Sequence, residues 1–321
     1  VAGLALARDK LFTKRSEELT YDGSFYRLAN GRSMYQHWLK SWLLSDVSIA
    51  VLEQIAIEEL KDAAHKRNLA VKNEGKYEAF IDGQDHQKIV SLFRKKEAAV
   101  YYQLDKYFPK LKSLSKVNIV RSSLPKSFPA PGIYDAYNQR FIYHLQKESF
   151  ASKTMDWLYI HEAVPGHHYQ SQFLQQHQAC PQLPERFTTT AFSEGWAAYV
   201  EGFGAKLGLY QDSESTLYAL DWQALRAVRV LLDIGMHAYG WSDEQAKSVW
   251  MKHIPEQSDI MEREIKRIRN WPAQVITYVY GKSVIQNYIE QTLAAKPKSL
   301  IEIHQEVLER SGYALSLLAK D

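Results

Sequence analysis

Residues 155–170 read MDWLYIHEAVPGHHYQ and hold the densest group of chemically capable side chains in the sequence. An apolar helical lead-in followed by His-Glu is how helices begin that carry two histidines four apart. In that pattern two imidazoles on one helical face grip zinc, and the glutamate between them activates a water. The spacing differs here: position 165 is Pro, and the next histidines after His161 are His167 and His168. On a straight helix His161 and His167 stand about 9 Å apart along the axis and roughly 120° off a common face. His161 and His168 are nearly on one face but about 10.5 Å apart. Zinc–nitrogen bonds are only about 2.0–2.1 Å long, so neither pair shares an ion on a regular helix. Either no metal binds, or the helix carries a bulge of two extra residues. Pro165-Gly166 suits a bulge, because proline cannot donate to the helical ladder and glycine tolerates unusual dihedrals. Leaving out Val164 and Pro165 restores ordinary zinc-helix spacing. On that reading His161 and His167 are ligands, Glu162 is the general base, and His168 packs or binds substrate. The bland account is a helix end with a histidine cluster.

A third ligand is needed, and the stretch 188–203, TTTAFSEGWAAYVEGF, offers one. Glu194 follows His167 by 27 positions and has Gly195, Ala197 and Ala198 beside it. Small neighbours let two helices approach closely, as a shared ion requires. Glu201 lies two turns further on the same face, too far to join Glu194 on one ion. Its expected role is to accept a proton from a ligand histidine. Ordinary solvent-facing acids would fit poorly among these aromatic and alanine neighbours. Arg229, Asp233 and His237 recur at i, i+4 and i+8, on a single helical face. One account is an intrahelical salt bridge with a capping histidine. In the other, Asp233 orients a neighbour while Arg229 or His237 faces substrate. Lys282 and Arg226 could receive a substrate carboxylate, but each reads better as a solvated surface cation.

These groups must be positioned by helices and a small sheet. From Ser33 to Ala70, Trp38, Trp42, Leu52, Ile55 and Leu60 recur at three-to-four spacing with no proline, which predicts one long helix or two abutting ones. Gly75 and Gly83 mark a connection, and Asp85 to Leu111 is again helical, with the charges at 94–97 read as a solvated face. Lys116 to Ser122 is short and β-branched, as strands are. Prolines 125, 129 and 131 then punctuate the chain before a predicted β-hairpin, 133–137 and 140–145, turning at Asn138-Gln139. Tyr134, Tyr137 and Tyr143 on it are ordinary strand aromatics, unless an edge strand there pairs with an extended peptide. From Thr154 the pattern is helical, with breaks near Gly208, Gly240, Pro255, Pro272, Pro297 and Gly312.

Composition agrees with this plan and removes several function classes. In 321 residues there are 15 Gly and 10 Pro, well under the roughly 12% of average proteins. A net charge of +3 argues against a nucleic-acid partner. No run approaches the roughly 18–20 apolar residues of a membrane span. Cys180 is the single cysteine, so neither a disulfide nor a cysteine zinc site forms within the chain, and both periplasm and cytoplasm stay open. The oligomeric state is not legible. The chain begins with Val1 and the short run VAGLALA, so an upstream segment is expected to have been removed.

The paired motifs HEAVPGHH (161–168) and SEGWA (193–197) resemble the domain of unknown function 885 family, a bacterial family similar to gluzincin metallopeptidases. The likeness continues through Arg229, Asp233, Gly235, His237, Gly240, Trp241 and Ser242, then Trp271-Pro272-Ala273-Gln274 and Tyr278. It covers most of residues 150–290. Ala273 stands where the family has glycine, and Val279 where lysine is common. The spacing argument contributes only a metal site with an adjacent carboxylate; the resemblance contributes the substrate class, a peptide. It implies Zn2+ held by His161, His167 and Glu194, with Glu162 as base and then acid. His237 or Tyr278 would supply the donor that an oxyanion needs beside the metal. His168, Arg229 and Gln274 would face substrate, with Glu201 and Asp233 behind. The expected fold is mainly α with a small β-sheet (α+β), zincin-like, with a metal site on a bulged helix. Residues 1–112 are expected to form an N-terminal helical region and 113–321 the zincin-like catalytic region, parts of one compact unit that is the C-terminal part of a longer protein. Two rivals remain: a metal-dependent hydrolase of a non-peptide amide or ester, and an inactive helical binding module.

Overall fold

The apolar stretch from Ser33 to Ala70 forms two helices, α1 (Gly31–Leu43) and α2 (Ile49–Leu69). Leu44, in the left-handed region at φ 49°, ends the first, and the Ser48 side chain caps the second by accepting from the Val51 N–H. The computed structural model that shows this describes residues 23–70, 79–177 and 188–320. Val1 to Ala7, Gly75 and Cys180 lie outside the described residues. Beyond Ala79 come β1 (Phe80–Asp82) and α3 (His86–Leu104), the helix capped by Asp85 through the Lys88 N–H.

The charges at 94–97 are not simply a solvated face. Glu97 is buried and accepts from Arg94 at 2.7 Å, while the other terminal nitrogen of Arg94 donates to the Val117 carbonyl at 2.7 Å. Lys96 pairs with the buried Asp156 at 2.6 Å. These residues lie where α3 packs on the sheet and on the histidine-bearing helix, so their charges close on partners across an interface.

The predicted short strand and hairpin appear as β2 (Asn118–Arg121), β3 (Gly132–Asp135) and β4 (Arg140–Tyr143). β3 and β4 pair antiparallel, with Ile133 opposite Ile142, and β2 joins the far side of β4 in parallel. The order β2-β4-β3 therefore leaves β3 as an outer strand. A further strand, β5 (Ser149–Ala151), pairs antiparallel with β1. Both are three residues long, too short for a period of two to show in the sequence.

The second half is helical: α4 (Met155–Leu158), α5 (His167–Gln176), α6 (Thr190–Val200), α7 (Ser213–Ala238), α8 (Asp243–His253), α9 (Met261–Asn270), α10 (Ile276–Ala295) and α11 (Leu300–Glu309). Breaks fall at Gly208 and Gly240, both at positive φ, and at Pro255, Pro272 and Pro297. α7 is the central strut, buried almost continuously from Leu225 to Ala238, with α2 laid along it. α6 and α10 cross closely at Gly195 and Gly281. A Cβ on Gly195 would sit 2.4 Å from the Gly281 carbonyl carbon, and one on Gly281 would sit 2.0 Å from the Ala191 oxygen. Gly195, beside Glu194, admits a second helix, α10, while α6 also packs against the segments that bear the histidines. The buried apolar side chains form one cluster from Tyr35 to Leu318, so residues on both sides of position 112 share a core. The fold is mainly helical with small sheets. Among the described residues no helix is long and apolar enough to cross a membrane.

Candidate metal centre

Two residues past Trp157 the α4 backbone widens into a π-type turn, Tyr159–Ala163, which carries His161 and Glu162. Val164 then leaves helical geometry (φ −123°, ψ 127°), the Val164–Pro165 peptide is cis, and α5 starts at His167. The expected bulge within one continuous helix is thus a break between two helices. Gly166 fits because it has no side chain: a Cβ there would lie 1.9 Å from the His161 carbonyl oxygen. Trp196 on α6 donates its indole N–H to the Pro165 oxygen at 2.8 Å, tying the break to the helix that carries Glu194.

The outcome is convergence. One ligand atom from each of His161, His167 and Glu194 falls within 4.8 Å of the other two. Glu194 Oε2 lies 3.6 Å from His161 Nε2 and 3.4 Å from His167 Nε2. That oxygen is buried and has no hydrogen-bond partner among the described residues. Two ligands about 2.0 Å from a tetrahedral ion stand about 3.3 Å apart, so these separations suit a shared cation better than a hydrogen bond.

Both imidazoles are oriented from behind. His161 Nδ1 lies 2.7 Å from Glu201 Oε1, and Arg226 Nη1 donates to both Glu201 oxygens at 2.7 Å. Arg226 Nη2 is also 3.3 Å from His161 Nδ1, but arginine cannot accept, so the Nδ1 proton goes to Glu201 and Nε2 is the nitrogen that faces Glu194 and is left to bind a metal. On His167, Nδ1 contacts Ser193 Oγ at 3.1 Å, and that hydroxyl donates to Gln170 Oε1 at 3.2 Å. His167 Nδ1 is therefore the donor and its Nε2 faces inward as well. Trp157 stacks on the His161 ring at 5.4 Å and on Trp222 at 4.2 Å, forming an aromatic wall.

The electrostatics favour a cation. Burial works against an imidazolium at His161, yet Glu194 and Glu201 outweigh it and lift the group to about 9. Burial also opposes charge on Glu194, but the two facing imidazoles hold its carboxyl well below the usual range. Glu162 is raised by burial, against the pull of His161 and His167.

A cleft of about 410 Å³ opens on this cluster and is lined by His161, Glu162, His167 and Glu194. Tyr278 also lines it, with its ring 6.5 Å from that of His161 and the Arg226 guanidinium 4.9 Å over its face. Burial pushes its phenol up. Arg229 reaches the cleft while paired with buried Glu264 at 2.8 Å. Gly132, Ile133 and Tyr134 bring β3 to its edge.

Several expected roles are corrected, and for His168 the packing alternative holds rather than substrate binding. His237 stays out of the cleft: its Nε2–H donates to the Ile268 carbonyl at 3.1 Å, its Nδ1 accepts from the Phe25 N–H at 3.3 Å, and its ring stacks on Tyr35. Eight residues along α7 carry it about 12 Å beyond Arg229. Asp233, half-way along, accepts from Tyr35 and from the Ala273 N–H at 2.9 Å, so it serves neither Arg229 nor His237. His168 is fully buried; its Nε2–H donates to the Ser115 carbonyl at 2.8 Å and its Nδ1 takes the Tyr134 hydroxyl at 3.0 Å. Gln274 lies behind the cleft, accepting from Arg267 at 2.9 Å. Arg226, read as a surface cation, is 4% exposed and belongs to the centre. Its signal was its place in LRAVRVLLDIGMHA (225–238), an apolar run where a charge must find a buried partner. Lys282 pairs with Glu59 at 2.6 Å.

The family profile described as a bacterial protein of unknown function (DUF885) matches residues 4–321. The chain belongs to the DUF885 family. None of the curated proteins matches it. Among solved structures, this DUF885 member is similar to a protein of Colwellia psychrerythraea described as a putative lipoprotein. The TM-score is 0.77 at 24% identity, over 92% of this chain and 55% of that one. It is also similar to a putative lipoprotein of unknown function from Shewanella oneidensis, with TM-score 0.68 and 19% identity, over 98% of this chain and 62% of that one. At these identities the likeness is one of fold. This DUF885 chain thus spans 55% and 62% of the lengths of these two neighbours.

Proposed function

We propose that this DUF885 member is a zinc-dependent peptidase with a gluzincin-like, zincin-type centre. The observation that carries the reading is the convergence of His161, His167 and Glu194 around an oxygen with no hydrogen-bond partner among the described residues. Two neutral imidazoles and one carboxylate are the donor set of catalytic zinc sites. His161, His167 and Glu194 would hold the zinc, which would supply Lewis acidity toward a carbonyl and a water.

The remaining chemistry belongs to the chain. Glu162 takes a proton from the attacking water as its oxygen bonds to the amide carbon. It returns that proton to the departing nitrogen as the carbon–nitrogen bond breaks, leaving a carboxylic acid and an amine, which then exchange a proton to carboxylate and ammonium. A carboxyl raised by burial suits both roles. The Tyr278 hydroxyl is the donor for the oxyanion, the role that His237 does not reach. Glu201 and Arg226 hold His161 in its ligating tautomer, as Ser193 and Gln170 do for His167. The outer strand β3 along the cleft supports an extended peptide as substrate.

The test is metal content and peptide turnover of the purified chain beside its Glu162→Gln variant. Expected are one zinc per chain in both and peptide cleavage in the parent alone. Protein without stoichiometric zinc, or full turnover by the variant, would overturn the reading; cleavage of acyl esters but not peptides would replace its substrate class.

A further inference from the structure

The cleft has a cationic end that the hydrolytic steps leave unused. Arg229 and Arg267 both line it. Behind them Glu264, wholly buried, faces three guanidinium groups. Arg229 holds it with two bonds, Nη2 at 2.8 Å and Nε at 2.9 Å, whereas Arg267 and Arg263 each stand 3.9 Å off. One carboxylate thus serves three cations. Among the described residues, Arg267 has only a neutral partner at hydrogen-bond distance, the Gln274 amide oxygen at 2.9 Å. Arg226 differs, being neutralised through both oxygens of Glu201. The surplus also registers on Arg229: burial, only partly offset by Glu264 and reinforced by Arg267, pulls it down to about 10.

This end lies close to the metal cluster. Arg229 is three residues past Arg226 on α7, about 4.5 Å along the axis. Arg226 itself is 3.3 Å from His161 Nδ1. The cleft, at about 410 Å³, is near the small end of the roughly 300–1,000 Å³ of ligand sites. A short occupant suits it better than the middle of a long chain. Trp222 and the half-exposed Trp271 flank the cationic end with apolar surface for one side chain.

We propose that Arg267, backed by Arg229, receives the terminal carboxylate of a peptide, so that the cleft removes residues from the C-terminal end. A planar guanidinium matches a carboxylate with two parallel bonds, and a desolvated, under-compensated one gains most from an incoming anion. With the terminal carboxylate seated there, the bond presented to His161, His167 and Glu194 is the last one. Water adds to its carbonyl carbon, the carbon–nitrogen bond breaks, the nitrogen takes a proton, and one free amino acid leaves. The inference rests on the peptidase reading, so its test is a binding measurement that needs no turnover.

The zinc-loaded Glu162→Gln chain is dialysed to equilibrium against a pool of N-acetyl dipeptides with free carboxyl termini, and separately against the same pool amidated. Bound peptides are read by mass spectrometry. Members of the free-acid pool should be retained about tenfold to a hundredfold more than their amides, the range of charge-assisted bonds. A further Arg267→Gln change should erase that ratio, and Arg267→Lys should restore part of it. Equal retention of acid and amide, or no retention of either, overturns the inference. So does retention that follows Asp or Glu side chains whatever the terminus. Zinc content of the same samples is assayed independently, so a failed metal reading is told apart from a failed anchor.

Discussion

The indole nitrogen of Trp196 donates to the carbonyl oxygen of Pro165 across 2.8 Å, joining the helix of Glu194 to the break between His161 and His167. All three prospective ligands thereby depend on one buried hydrogen bond between two segments. Trp196 is wholly buried, so its loss cannot be made good by solvent. Replacing it with Phe leaves an unpaired buried acceptor, at a cost of about 1–3 kcal/mol. Trp196→Phe is expected to weaken zinc binding about tenfold, measured by competition with a chelator. Zinc affinity equal to the parent's would show that the break holds its shape unaided.

The pair Glu201–Arg226 makes separable predictions for stability and metal. Glu201→Gln strands a buried guanidinium and should cost about 3–5 kcal/mol by denaturant unfolding. The double change Glu201→Leu with Arg226→Met should regain most of that stability, because an apolar pair replaces an ionic one. Zinc affinity should stay about ten- to a hundredfold low in both, since neither can hold His161 as the carboxylate does. Recovery of affinity in the double variant would dismiss Glu201 as the orienting group.

Adjacent histidines should fail in opposite ways. His167→Ala removes a group aimed at Glu194 and is expected to abolish zinc retention with little change in apo stability. His168→Ala removes a buried bridge between Ser115 and Tyr134 and should cost about 2–4 kcal/mol while zinc is retained. Metal analysis and unfolding of the two variants side by side decide this; the reverse pattern would exchange their roles.

Asp233 makes stability depend on pH. Burial outweighs its bonds from Tyr35 and Ala273 and lifts the carboxyl from 3.8 to about 7. The folded chain therefore binds a proton here more tightly than the unfolded chain. Its contribution is complete below pH 4, falls as pH rises towards 7, and is lost above that. Three pKa units correspond to about 4 kcal/mol at most. Asp233→Asn should remove this slope, so the parent loses stability relative to the variant between about pH 4 and 7. Parallel stability–pH curves for the two proteins would contradict it.

Local features of the sequence announced much of the fold. Helical periodicity predicted α2, α3 and α7, glycine and proline marked the breaks, and β-branched residues with an Asn-Gln turn predicted the hairpin. These are near-neighbour effects, set by sterics and side-chain pattern within a few residues. β1 and β5 stayed hidden because three residues carry no period, and their pairing joins positions nearly seventy apart.

The candidate site divides along the same line. The order His161, Glu162, His167, Glu194 and the proline-glycine pair were enough to propose a metal cluster, because ligand chemistry restricts residue type and spacing. What tertiary structure decided was direction. One face of α7 carries Arg229 to the cleft, Asp233 to Tyr35 and His237 to Ile268, because each turn of a long helix meets a different neighbour. His167 turns inward and His168 away, since adjacent side chains on a helix point about 100° apart. Residue type states what a side chain can do; the neighbours that long-range packing brings to it state what it is used for.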